Sequence, residues 1–111
     1  MKEVTKAVNL VANTSTLVYT VPRGYEAILN MLYVHNEGTS TKKVTATWHM
    51  AVENTDIKVF FDLPLTAKQY IVADAGFRVL MSETDTLTLL SETGSTMNTI
   101  CTFELVKKEG F

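Results

Sequence analysis

Few side chains in this sequence are suited to chemistry: His35, His49, Cys101 and a scatter of carboxylates. A zinc site would need both histidines to converge with a further ligand. Thirteen residues separate them, and the close histidine pair followed by a glutamate, as metal-binding jelly rolls use, is missing. They read as polar histidines on the surface or at strand ends, so no metal and no cofactor are expected. Cys101 is the single cysteine and has no internal disulfide partner. It alternates with Met97, Phe103 and Leu105, the pattern of a buried thiol and not of a nucleophile. Glu83 and Asp85 share one predicted loop. Calcium would ask for six or more oxygens, so a solvated turn is the better reading. There is no Gly-x-Ser-x-Gly elbow, and the five glycines stand apart, so no phosphate loop forms. Nothing favours a paired-carboxylate hydrolase. The chain reads as non-enzymatic.

Aromatic groups offer a second kind of chemistry. Trp48, Tyr25, Tyr33 and Tyr70 could stack on a sugar. Trp48, however, falls in the apolar row of its strand, where core packing is the better reading. Formal net charge is -2 and the pI is about 5.6, which argues against nucleic acid as a partner. The basic pairs Lys42-Lys43 and Lys107-Lys108 read as solvated charges. The N-terminal stretch lacks the unbroken apolar run of a signal peptide. No segment approaches the roughly 18 apolar residues of a membrane helix, so no membrane partner is expected. A lone cysteine suits a reducing compartment.

Strands must position whatever these residues do. The 111 residues fit one domain, large enough to bury a core without staples. Threonine and valine are abundant, and both suit a pleated surface. "VTATWHMAV", Val44–Val52, alternates over its whole length, with Val44, Ala46, Trp48, Met50 and Val52 on one face. Met97–Val106 does the same. Shorter strands are predicted over Ile57–Phe61, Tyr70–Ala73, Phe77–Met81 and Thr86–Ser91. Turn residues separate them, including Asp62–Lys68 around Pro64. The fold class predicted is all-β: a single antiparallel β-sandwich, jelly-roll-like, of about eight strands. Residues 1–13 are expected to form an N-terminal arm or a first edge strand, and residues 14–111 the sandwich.

One stretch breaks the alternation. "VYTVPRGYEAILNMLYVHNEG" holds a short strand, then Val21-Pro22-Arg23-Gly24, read as a type I turn, then a nearly continuous apolar strand. Simple alternation puts Tyr25, Ala27, Leu29, Met31 and Tyr33 on one face, and Ile28, Leu32 and Val34 on the other, interrupted by Asn30. A strand apolar on both faces needs cover on both sides. These five residues, with Val4, Val8 and Leu10 of the N-terminal segment, are the candidate interface.

Val18-Tyr19-Thr20-Val21-Pro22-x-Gly24-x-x-Ala27, followed by an apolar strand and Asn36-x-Gly38, resembles the start of many small virion proteins of tailed bacteriophages. Asp85-Thr86-Leu87 resembles the "GDTL" turn-strand of the same proteins, with Thr84 where that pattern has glycine, and Phe103-Glu104 resembles their closing strand. The resemblance is scattered over residues 16–105. It implies a non-enzymatic structural protein of the virion, assembled in the host cytoplasm. The leading expectation is a capsid decoration (cement) protein on the outer face of the head. Its partners would be copies of itself, with a trimer favoured, and the major capsid protein or other virion proteins. A tail, head–tail connector or fibre-attachment component is the alternative, and a carbohydrate-binding module a further one.

Overall fold

The computed structural model describes residues 2–74 and 78–108. Among the described residues nine strands form: β1 Lys2–Asn9, β2 Ser15–Thr20, β3 Tyr25–Asn36, β4 Lys42–Met50, β5 Thr55–Leu65, β6 Tyr70–Ala73, β7 Val79–Met81, β8 Thr86–Ser91 and β9 Met97–Lys107. They make two antiparallel sheets. One runs β1-β9-β3-β6, with β7 also paired to β3; the other runs β2-β8-β4-β5. β6 pairs with the Leu32–His35 half of β3 and β7 with the Ala27–Leu29 half. Counted as one interrupted strand, they leave eight in jelly-roll order, the chain crossing between sheets at every connection but β4–β5. Among the described residues there is no helix. Lys2–Asn9 is the edge strand beside β9.

The core lies between the sheets. Leu29, Leu32, Val34 and Phe103 come from one side and Ala46, Leu87 and Leu89 from the other; nearly all are fully buried. Tyr19 of β2 stacks across the gap on Phe103 of β9, ring centroids 4.5 Å apart, and Lys6 Nζ lies over the Tyr19 ring, 5.6 Å from its centroid. Such a stack joins the two layers by offset aromatic contact.

Three local expectations need correction. The first turn lies one residue later than Val21–Gly24: the Tyr25 amide donates to the Pro22 carbonyl at 3.3 Å, and Gly24 sits at φ 84°. Positive φ at the third residue is the type II requirement, which glycine meets without strain. Second, β5 does not stop at Phe61 but runs through Pro64, paired with Lys43. Proline is tolerated because β5 is an edge strand, whose outer amides need no partner. Third, the strand read as Val44–Val52 spans Lys42–Met50, and a turn carrying Asn54 at φ 52° follows it. Phe77, assigned above to the start of β7, lies outside the described residues.

The Val18–Ala27 stretch and the Asp85–Leu87 stretch meet in space. The Val21 amide donates to the Asp85 carbonyl at 2.9 Å, and the Thr84 amide returns a bond to the Val21 carbonyl at 2.8 Å. Asp85 is 2% exposed. Its carboxylate accepts from the Trp48 indole, the Ala51 amide and the Ser82 amide, each at 2.9 Å. It is therefore a buried pin and not the solvated or calcium-binding group considered above. Asn36, the other motif position, is buried as well. Its amide nitrogen reaches the carbonyls of Ser40, Leu65 and Thr66, and its oxygen accepts from Gly38.

Candidate functional site on the two sheet faces

A sandwich hides one face of each sheet and leaves the other two free. In the five-stranded sheet the direction of each β3 side chain decides what the free face carries. The β3–β9 register slips between Leu29 and Met31, so Asn30 is an extra residue on β3. A bulge of this kind reverses the inward and outward sets beyond it. Ala27 and Leu29 point in before the bulge; Leu32, Val34 and Asn36 point in after it. This accounts for a strand that looks apolar on both faces.

The candidate interface is corrected accordingly. Ala27 and Leu29 are 0% exposed and offer nothing to a partner. Tyr25 is half-buried against the core, as are Val4 and Val8, and Leu10 is buried. Val4 and Val8 stand opposite Phe103 and Thr99, in the inward row. Of the eight residues, only Met31 and Tyr33 belong to the outward row. The structure joins them to residues that the sequence reading missed. Tyr33 lies between Val72 of β6 and Ile100 of β9; Ile28 lies between Leu80 of β7 and Glu104. Tyr70 is 60% exposed and Leu80 58%. The Tyr33 and Tyr70 rings lie 5.6 Å apart, and His35 is tilted against Tyr33 at 6.4 Å. The result is one outward patch of aromatic and aliphatic groups. Asn30, the polar break in an apolar run, was the only signal in the sequence for this reversal.

The free face of the four-stranded sheet is different. It carries a trough of about 430 Å³. Thr47, Thr86 and Thr88 form its floor, on the outward rows of β4 and β8. His49 Nδ1 and Asp56 Oδ1 form a hydrogen bond of 2.7 Å across the β4–β5 pair. Two register slips in β5 add two residues opposite Val44–Thr47. Phe60 then packs against the core while Phe61 turns outward, 66% exposed, at the trough wall. Asp62 beside it takes φ 49°, held by its amide donating to Thr45 Oγ1 at 2.9 Å.

The two histidines lie on different sheets, His35 on β3 and His49 on β4, so they do not converge. Among the described residues no three His, Cys, Asp or Glu side chains group to hold a metal. Cys101 is fully buried, and burial pushes its thiol up to about 11, against a weaker opposing bond from Thr99. Trp48 packs against the core, so it is no stacking platform. No family model, curated protein or solved structure matches the chain.

Proposed function

We propose that this protein is a non-enzymatic structural component of a tailed-phage virion, and that it works as a capsid decoration protein. The observation that carries this reading is the outward patch of the five-stranded sheet, centred on Tyr33, Ile100 and Leu80. Contiguous exposed apolar surface in a small β-sandwich is what an interface uses. The opening and "DTL" stretches add the resemblance to virion proteins. A protein that binds only the assembled shell stabilises it by linkage, without chemistry.

The test is mass by light scattering, alone and after mixing with purified heads that lack the protein. A trimer or monomer that saturates heads in proportion to the capsid lattice supports decoration. A closed ring that ignores bare heads moves the assignment to the tail or connector, because ring proteins have fixed copy number while decoration follows the lattice.

A further inference from the structure

We propose that the trough on the four-stranded sheet is a binding site for a neutral oligosaccharide. Its volume of about 430 Å³ lies within the roughly 300–1,000 Å³ of small-ligand sites. Its lining combines an apolar platform with hydrogen-bonding groups. Phe61 is the platform. It stands 66% exposed at the trough, and the register slip between Ala46 and Thr47 decides which of two adjacent phenylalanines turns outward: Phe60 packs against the core and Phe61 does not. Bulges re-aim side chains at functional sites. A sugar ring offers a matching pair of surfaces, an axial C–H face to lie on the phenyl and a rim of hydroxyls.

The polar groups suit that rim. Asp56 and Asp62 are acceptors for hydroxyl donors, and a carboxylate makes the stronger, charge-assisted bond. The Lys58 ammonium donates to hydroxyl oxygens, and the threonine hydroxyls do either. The Asp56 contact fixes the His49 ring at the trough. Two carboxylates against one lysine give the trough no positive excess, which disfavours phosphate, sulfate and nucleic acid. The trough and the apolar patch occupy opposite free faces of the sandwich. A copy docked through the patch would leave the trough open, so the inference stands whether or not the proposed function does.

The test uses the full chain, ¹⁵N-labelled, titrated with lactose, cellobiose, maltose and diacetylchitobiose, with inorganic phosphate as the anionic probe. At least one disaccharide is expected to bind saturably with a Kd near or below about 1 mM, shifting amides of β4, β5 and β8. Phe61→Ala should weaken that binding about tenfold or more, Phe61→Tyr should keep it, and Lys107→Gln, exposed at the end of β9, should leave it unchanged. If Phe61→Ala does not fold, His49→Gln takes its place, with weakened binding expected. The proposal is overturned if no disaccharide shifts trough amides up to about 20 mM, if phosphate alone does so, or if both Phe61→Ala and His49→Gln bind like the parent.

Discussion

The Gly24 amide donates to Glu83 Oε2 across 2.7 Å, joining two turns that are 59 residues apart in the chain. Lys108 Nζ reaches the other carboxylate oxygen at 3.4 Å, and the Lys108 amide donates to the Gly24 carbonyl at 2.9 Å. Three separate segments are clasped at one end of the sandwich.

This clasp gives stability a pH dependence. The Gly24 bond is the main cause that holds the Glu83 carboxyl below its ordinary value of 4.5; Lys108 and Arg23 act in the same direction and partial desolvation opposes them. Folding therefore favours the ionised form. Its contribution is complete above the unfolded value and is lost as pH falls through the folded one. Chemical denaturation of the parent and of Glu83→Gln, at pH values from about 7 to about 3, should show the parent's advantage shrinking on acidification. A gap that stays constant with pH would rule this out.

Thr84 sits at φ 68°, in the left-handed region where a β-branched residue is strained. Thr84→Gly should stabilise the protein by about 0.5–1 kcal/mol, the relief of left-handed strain less the extra chain entropy of glycine. Thermal melting is the measurement, with a rise of a few degrees expected; a fall would mean that the threonine side chain contributes more than the strain costs.

Asp85→Ala should be the most damaging single polar change. It strips the acceptor from the Trp48 indole and from two amides, and each orphaned buried donor costs about 1–3 kcal/mol. A loss of about 3 kcal/mol or more is expected by urea unfolding, with a shift in tryptophan emission. A near-neutral result would show that water replaces the carboxylate.

Cys101 should resist alkylation by iodoacetamide in the native state at about pH 8, where a thiol raised to about 11 is almost wholly protonated. Intact-mass spectrometry should find it unmodified until guanidinium unfolds the chain. Rapid native labelling would require the core to open locally far more often than a sealed sandwich does.

Ile100→Glu places a charge at the centre of the apolar patch and leaves the core untouched, because Ile100 points outward between Tyr33 and Ala7. If the patch is the interface, light scattering should show self-association or head binding lost while circular dichroism and melting stay close to the parent. Undiminished binding would move the interface to another face.

Much of the fold was legible because alternation is a strong signal where strands are regular. Tyr70–Ala73 and Thr86–Ser91 have the expected bounds, and Met97–Lys107 extends its expected strand by one residue. The inward row Met97, Thr99, Cys101, Phe103 and Leu105 is buried throughout. What alternation cannot show is a residue that adds to one strand and not to its partner. Asn30 reverses the faces of β3 in this way, so Ala27 and Leu29 were assigned to a surface that they do not reach. β5 conceals the trough similarly: "VFFD" gives no hint which phenylalanine turns inward, because the answer lies in its pairing with β4. The motif residues were visible, but their role was not. Val21, Asn36 and Asp85 act by long-range contacts, and these tie the motifs to architecture more directly than to function.

β5 is also an exposed sheet edge, and an intact edge is an invitation to a foreign strand. Two bulges, Asp62 in a left-handed conformation and Pro64 without an amide interrupt its outward row of donors. An unbroken edge would otherwise let copies grow, edge upon edge, into fibrils. The irregularity that sets Phe61 in place also blunts that route to aggregation.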